Sequence, residues 1–311
     1  PLPAISGTVE WRNRSFFNTP TQFSTKLLAG VPMEEQFVLP RLRYDVSFAS
    51  SWFMGIRFPS KLTGFYETFI EYKDKVETIE RFGINLSQLI RFDKRSYFET
   101  KSVWESFSDQ SATEKNIEQR SFALKINIDK KDDPLFTQKG YLLSGLFKSA
   151  GYVLGGNRDY FKVDLAIQYY TPIGKKSVFA TRIKLGRLWG WDSKFNDYSY
   201  EKFYLGGSTS MRGWEVLKFK KENGKPVGEI IRFMTNVEYR FPFYKSFGFT
   251  IFADGGLLAD PTKNNSSDSL EWDSGIGLTI LTPLGPARLD YAIQVNDPGK
   301  RKIQLGVQNL F

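Results

Sequence analysis

Residues 231–241 read IRFMTNVEYRF, and this stretch decides the fold because apolar and polar side chains alternate along it. Phe233 and Val237 fall on one face, whereas Arg232 and Glu238 fall on the other. Successive side chains of a β-strand point to opposite faces of the sheet. The stretch therefore predicts an extended strand with one apolar wall and one charged wall.

The same alternation recurs in about fifteen segments, each roughly 9 to 14 residues long, which is the length of a tilted membrane-spanning strand rather than of a strand in a globular sheet. The segments centre near the following residues: Val9, Ser24, Tyr44, Phe69, Leu86, Lys101, Lys125, Leu143, Leu165, Ile183, Asn236, Ile251, Leu278, Asp290 and Leu305. Short connections, such as 172–175 and 282–286, alternate with long polar ones at 106–119, 191–213 and 260–273. Tight turns on one side and long loops on the other are typical of an outer-membrane barrel.

We therefore predict an all-β fold, a transmembrane antiparallel β-barrel. Single-chain bacterial barrels have an even number of strands. Fifteen visible segments then indicate sixteen strands, with one strand lying before Pro1 or missed in the sequence. We expect residues 1–311 to form a single barrel domain.

The composition agrees with this prediction. Aromatic residues make up 16% of the chain, with 28 Phe, 15 Tyr and 7 Trp, although the mean hydropathy is only −0.36. Alternating strands keep the average hydropathy low, and aromatic girdles mark both membrane interfaces of a barrel. An aromatic-rich soluble β-sandwich, with its apolar faces turned inward, remains an alternative at this stage.

The charged residues and the missing residue types limit the possible functions. The net charge is +9, but the 43 basic residues are spread along the chain among 34 acidic ones. This distribution favours lumenal and loop positions over a nucleic-acid interface. A soluble basic protein that binds polyanions is the alternative. Cysteine and histidine are both absent, which excludes disulfides, cysteine nucleophiles and histidine-based triads. We expect no enzymatic activity, no cofactor and no metal.

The most specific motif lies in the longest loop, where residues 203–214 read FYLGGSTSMRGW. Gly206 and Gly207 allow a tight backbone turn, and Arg212 offers five hydrogen-bond donors at a fixed point. This stretch resembles the loop signature of the BamA/TamA superfamily of outer-membrane assembly barrels. In that family a Gly-Gly run precedes an aliphatic-Arg-Gly-aromatic tetrapeptide, which here is Met211-Arg212-Gly213-Trp214.

The resemblance implies that the loop folds back into the lumen and that Arg212 pairs with acidic residues on the barrel wall. The segments NVEYRFP at 236–242 and FADGG at 252–256 resemble the two wall motifs of the family. Alternation places Glu238 and Asp254 on the polar faces of two strands that follow one another in the chain. We therefore predict a loop lock of Arg212, Glu238 and Asp254; independent solvated charges are the alternative.

Further resemblance extends toward both ends of the chain. The segments at 10–17 and 133–141 resemble the second strand and a turn of the family, and 285–292 resembles its penultimate strand. The last strand carries Gln304 and Gly306 on its polar face and ends at Phe311, which resembles the C-terminal signal by which outer-membrane barrels are recognised for assembly. The resemblance covers essentially the whole chain and is strongest from Phe203 onward.

The resemblance also implies a function. Family barrels have a weak seam between the first and last strands, and Gly306 would weaken strand pairing there. Room for an inward-facing neighbour is the alternative reading of this glycine. We expect a barrel of the bacterial outer membrane that assembles or inserts outer-membrane proteins, or translocates passenger domains. Its expected partners are outer-membrane lipids, unfolded outer-membrane protein clients and periplasmic or lipoprotein accessory subunits, and not nucleic acid.

Two questions stay open at the level of sequence. The chain begins at Pro1 without Met or a signal peptide, so we expect a processed or truncated piece with periplasmic POTRA domains upstream. A passive pore, or the membrane anchor of a larger protein, is the alternative function. The sequence does not separate an insertase from a translocation partner.

Overall fold

The computed structural model describes residues 4–32, 41–53, 55–72, 76–108, 116–174, 176–190, 201–244, 246–263, 268–282 and 285–307. These residues form seventeen strands: β1 (Ala4–Asn13), β2 (Gln22–Pro32), β3 (Arg41–Ser50), β4 (Ser60–Tyr72), β5 (Val76–Arg91), β6 (Tyr97–Ser108), β7 (Asn116–Asp129), β8 (Gly140–Ala150), β9 (Tyr160–Ile173), β10 (Ser177–Gly190), β11 (Lys221–Glu222), β12 (Lys225–Pro226), β13 (Ile231–Tyr244), β14 (Phe247–Ala259), β15 (Glu271–Thr282), β16 (Gly285–Gln294) and β17 (Arg301–Val307).

Fifteen of these strands form one antiparallel sheet, in which each strand pairs with its neighbours in chain order from β1 to β17. The remaining two, β11 and β12, form a small hairpin within the connection between β10 and β13. Each of the fifteen predicted segment centres falls inside one strand of the large sheet, so these predictions are confirmed. The described residues contribute fifteen strands to this sheet, and a sixteenth strand stays a prediction.

The apolar wall of each strand is exposed. Ile251 is 52% exposed, Leu289 is 50% exposed and Leu305 is 74% exposed, and many other large apolar side chains on the same face are similarly open. A soluble sandwich would bury these rows between two sheets. The sandwich alternative is therefore wrong, and the outward apolar surface is what a lipid-facing barrel requires.

The inner face carries polar residues in register. Across β10, β13, β14, β15 and β16, one row of directly paired residues reads Arg182, Asn236, Asp254, Asp273 and Gln294. Directly paired residues in an antiparallel ladder have neighbouring side chains on one face. The sheet therefore brings residues that are far apart in sequence to one inner surface.

The two ends of the barrel differ in their connections. At one end, which we call the turn end, β9 joins β10, β13 joins β14 and β15 joins β16 through two or three residues each. At the opposite end, the loop end, the connections at 191–230, 260–270 and 295–300 are longer. Long connections of such barrels face the cell exterior. Among the described residues, no helix is long and apolar enough to cross a membrane.

The long connection between β10 and β13 lies against the inner face of the sheet. Its described part begins at residue 201, and Phe203, Leu205 and Met211 are buried with apolar residues of five strands, namely Ala150, Tyr160, Leu188, Met234 and Leu258. We call residues 201–230 the lumenal loop. Packing on these strands fixes the loop beside the row of polar residues described above.

Candidate functional site

The tip of the lumenal loop is a tight turn built on glycines. Gly206 and Gly207 have φ values of +115° and +94°, a region that L side chains rarely adopt. The amide of Gly207 donates to the carbonyl oxygens of Met211 at 3.0 Å and Trp214 at 3.1 Å. A Cβ atom at Gly206 would lie 2.2 Å from the carbonyl oxygen of Glu215. The Gly-Gly pair is thus required by backbone conformation and by close approach.

This turn places Arg212 at the centre of the site. Its guanidinium donates from Nε and Nη2 to the two carboxylate oxygens of Asp254, at 2.8 and 2.7 Å, and from Nη1 to Glu238 at 2.7 Å. Its Cζ atom lies 3.4 Å from the centre of the Phe252 ring. Arg212 and Asp254 are completely buried, and Glu238 is 1% exposed. The fork-like pairing with Asp254 fixes both the position and the orientation of the arginine.

A second arginine, Arg182, holds the loop through the side chain of Asn236. Asn236 donates to Asp254 at 2.8 Å and to the carbonyl oxygen of Ser210 at 2.7 Å. Arg182 donates to the side-chain oxygen of Asn236 at 2.9 and 2.7 Å and to the carbonyl oxygen of Thr209 at 2.9 Å. The backbone just before Arg212 is therefore bonded to β10 and β13 as well.

A third and a fourth arginine belong to the same network. Arg288 lies 3.0 Å from Asp290 and donates to the carbonyl oxygen of Ser208, and Arg240 lies 2.6 Å from Glu238. The network contains four arginines and four acidic residues: Arg182, Arg212, Arg240 and Arg288 with Glu238, Asp254, Asp273 and Asp290. All are buried except Arg240, whose side chain is 15% exposed. Buried charges are tolerated when they are paired and hydrogen-bonded, as Arg212, Glu238 and Asp254 are here.

The other side of the turn is bonded to the last three strands. Asp273 of β15 accepts a hydrogen bond from the amide of Gly213 at 2.9 Å, and Gln294 of β16 donates to the carbonyl oxygen of Gly213 at 2.9 Å. Gln304 of β17 donates to the carbonyl oxygen of Trp214 at 2.9 Å, and Lys302 contacts Glu215 at 2.8 Å. The loop thus contacts every strand from β13 to β17.

Two further carboxylates anchor the limbs of the loop. Glu201 contacts Lys148 on β8 at 2.5 Å and Lys162 on β9 at 3.0 Å. Burial opposes ionisation of Glu201, but these two ammonium groups outweigh it and lower its pKa to about 2. At the other limb, the fully buried Glu229 contacts Lys220 at 2.8 Å and Lys263 at 3.2 Å.

Comparison with known proteins identifies this arrangement. The model of the Omp85 superfamily domain matches residues 16–309. The chain belongs to the Omp85 superfamily. The resemblance to BamA/TamA-type barrels is therefore confirmed, and this Omp85 barrel lies in the bacterial outer membrane.

Two curated relatives match parts of this Omp85 barrel. It is 25% identical over 176 residues to the outer membrane protein assembly factor BamA of Nitratidesulfovibrio vulgaris, with 54% of this chain and 22% of that protein covered. It is 26% identical over 200 residues to the sorting and assembly machinery component 50 homolog of Mus musculus, with 58% of this chain and 42% of that protein covered. The chain thus spans less than half the length of either relative.

Solved structures share the fold. BamA from Haemophilus ducreyi, in a crystal structure lacking POTRA domains 1–3, superposes with a TM-score of 0.76 at 13% identity, with 96% of this chain and 66% of that chain covered. CdiB from Escherichia coli superposes with a TM-score of 0.61 at 11% identity, with 96% of this chain and 58% of that chain covered. At these identities the likeness establishes the barrel fold alone.

Most of the residues predicted for the site of this Omp85 barrel lie together. Arg212, Glu238 and Asp254 are in direct contact, and Gln304 bonds to the same turn. A Cβ atom at Gly306 would lie 3.1 Å from Nη2 of Arg288, so this glycine gives space to an arginine of the network. The predicted terminal signal residue Phe311 lies outside the described residues.

Six members of the network were not predicted: Arg182, Asn236, Arg240, Asp273, Arg288 and Asp290. The signal for two of them was present, because Arg288 and Asp290 alternate with apolar residues in the segment at 285–292. Asp273 was harder to find. It pairs directly with Asp254, and this register is visible only once the strands are aligned.

Proposed function

We propose that this Omp85 barrel is the membrane domain of an assembly or translocation factor that acts on unfolded outer-membrane proteins at the seam between β17 and the other end of the sheet, which is β1 in the described part of the chain. The proposal rests on the order of strand pairing, in which these two strands are the ends of the sheet formed by the described residues. An incompletely paired strand edge templates pairing with an incoming strand.

The lumenal loop supports this role by bonding to the strands beside the seam. Gln304 and Lys302 belong to β17 itself, and Gln294 belongs to its partner β16. These contacts hold the inner face of the last hairpin while the backbone edge of β17 stays available. The loop then stabilises the barrel during any opening at the seam.

The proposed activity requires no covalent step. A client strand that pairs with the edge of β17 or β1 satisfies its backbone groups, and its apolar face leaves water for lipid. We therefore assign the carboxylates of the network to holding the loop, and not to acid–base chemistry.

The proposed organisation follows from the family. Residues 1–311 would form a single barrel domain, with periplasmic POTRA domains upstream that contact clients. Outer-membrane lipids surround the barrel, and periplasmic or lipoprotein accessory subunits are its expected partners. The choice between an insertase and a translocation partner depends on the client.

A crosslinking experiment tests the seam. The chain has no native cysteine, so Val9→Cys with Leu305→Cys can be joined by a flexible bis-maleimide without background labelling. As the control, the same reagent joins Leu27→Cys and Tyr44→Cys, which are directly paired on β2 and β3. The full chain in liposomes is then mixed with an unfolded outer-membrane barrel, and protease-protected client is measured over time.

We expect client insertion several-fold faster than in empty liposomes, abolished by the seam crosslink and kept by the hairpin crosslink. Equal insertion with both crosslinks would contradict action at the seam. No acceleration together with a steady conductance of a single size in planar bilayers would instead establish a passive pore.

A further inference from the structure

A basic cavity lies at the loop end of the barrel, between the lumenal loop and the hairpin of β16 and β17. Its volume is about 420 Å³. The charged residues that line it are five cations and one anion: Lys218, Lys221, Lys300, Arg301, Lys302 and Glu215. Lys218, Lys221, Lys300 and Arg301 take no part in the network around Arg212, and the seam proposal does not require them.

The cations of the cavity are only partly neutralised. Glu215 contacts both Lys302 and Lys218, at 2.8 and 3.2 Å, and Lys300 contacts Asp297 at 2.9 Å. Within the described residues, neither Lys221 nor Arg301 forms a salt bridge. The walls therefore keep a net positive charge, and two cationic groups have no carboxylate partner among those residues.

The position of Arg301 connects the cavity with the lipid. Arg301 shares the outward face of β17 with Ile303 and Leu305, which are 69% and 74% exposed, whereas Lys302 faces the lumen. Arg301 stands at the loop end of this lipid-facing row. In an outer-membrane barrel that level corresponds to the headgroups of the outer leaflet. The cavity thus borders both the aqueous mouth and the membrane surface.

We propose that this cavity binds the phosphate groups of a lipid headgroup of the outer leaflet. A guanidinium forms paired hydrogen bonds with phosphate, and lysine ammonium groups add compact charges around it. Basic residues at a membrane surface each add measurable affinity for anionic lipid. An acidic polypeptide would suit the charge, but it gives no reason for Arg301 to lie on the lipid-facing row. A bound headgroup would tie the last hairpin to the membrane beside the seam.

The test uses the full chain in a neutral detergent and a lipid whose headgroup carries two phosphate monoesters, lipid A. Binding is measured by native mass spectrometry across a titration of lipid A, its dephosphorylated form, inorganic pyrophosphate and hexaglutamate. The variant is Lys221→Gln with Arg301→Gln. The matched control is Lys139→Gln with Lys176→Gln, which removes two exposed cations at the turn end. Heat-modified gel mobility verifies that every variant is folded.

We expect lipid A to bind the wild-type chain and the control equally, and the cavity variant on the order of 30-fold more weakly. Dephosphorylated lipid should bind no better to the wild type than to the cavity variant. Equal binding of lipid A by the cavity variant and the wild type would overturn the proposal. If pyrophosphate bound as tightly as lipid A, the site would be assigned to a soluble anion instead. If hexaglutamate displaced the lipid at a lower concentration than pyrophosphate does, the site would be assigned to an acidic polypeptide. Client insertion is not needed for this measurement, so its outcome is independent of the seam proposal.

Discussion

The carbonyl oxygen of Arg212 accepts a hydrogen bond from Nε2 of Gln304 at 3.3 Å. The guanidinium of the same arginine is bonded to Glu238 on β13 and Asp254 on β14. One residue of the lumenal loop therefore connects two central strands with the last strand of the sheet. Because β17 borders the proposed seam, the stability of this connection bears directly on function.

Replacing Arg212 with alanine should destabilise the barrel strongly. The substitution leaves Glu238 and Asp254 buried without their principal cation, and breaking a buried ion pair in this way costs about 3–5 kcal/mol. We expect a lower free energy of unfolding in urea, a loss of heat-modified gel mobility at lower temperature, and reduced client assembly. Arg212→Lys should be intermediate, because an ammonium keeps the charge but not the paired hydrogen bonds.

The control for this prediction is Arg14→Ala, which removes an exposed arginine from the turn between β1 and β2. It should change the free energy of unfolding by less than about 0.5 kcal/mol. If Arg212→Ala had unchanged gel mobility and unchanged client levels, the loop would not depend on this arginine.

The sequence predicts the strands well because their physics is local. Most outward-facing positions are apolar and most inward-facing positions are polar, so alternation alone locates segments such as that around Ile251. It also predicts which face Glu238 and Asp254 occupy. The family resemblance then brings Arg212 to them, although the loop and the strands are separated by 26 and 42 residues.

The remainder of the site depends on strand register and on long-range contacts, which alternation does not determine. Asn236 lies beside Arg182 because β10 and β13 are paired, although forty residues of loop separate these strands. Glu201 contacts Lys148 and Lys162 on β8 and β9, and no local pattern in the sequence marks this pairing.

Replacing Gly206 with alanine should be more costly than replacing Gly224. Both have positive φ, +115° and +77°, so each substitution introduces backbone strain of about 1–2 kcal/mol. Only at Gly206 would the new Cβ atom also meet a backbone atom, the carbonyl oxygen of Glu215 at 2.2 Å; at Gly224 no atom lies within 4 Å. The free energy of unfolding of Gly206→Ala should therefore fall further than that of Gly224→Ala. Equal losses would show that the turn relaxes freely.

The attachment of the first loop limb should depend on pH. The pKa of Glu201 falls from its ordinary value of 4.5 to about 2 in the folded chain, because Lys148 and Lys162 outweigh the effect of burial. A lowered folded-state pKa contributes stability above the unfolded-state pKa, and this contribution is lost as the pH falls from about 4.5 toward 2. Thermal unfolding of the wild type and Glu201→Gln should differ most at neutral pH and converge as the pH approaches 2. Curves that stay parallel over this range would contradict the assignment.

Replacing Gln304 with leucine should loosen the last strand without unfolding the barrel. Leucine has a similar size but cannot donate to the carbonyl oxygens of Arg212 and Trp214, so the inner face of β17 loses its bonds to the loop. Each neutral hydrogen bond contributes about 1 kcal/mol, so global stability should fall only modestly. Amide hydrogen exchange should instead become faster in β17 and stay unchanged in β9. Gln168→Leu is the matched control, because Gln168 lies on β9 and accepts a hydrogen bond from Tyr170 at 3.1 Å. If the amides of β17 exchanged no faster in Gln304→Leu than in Gln168→Leu, the loop would hold the last hairpin through Gln294 and Lys302 instead.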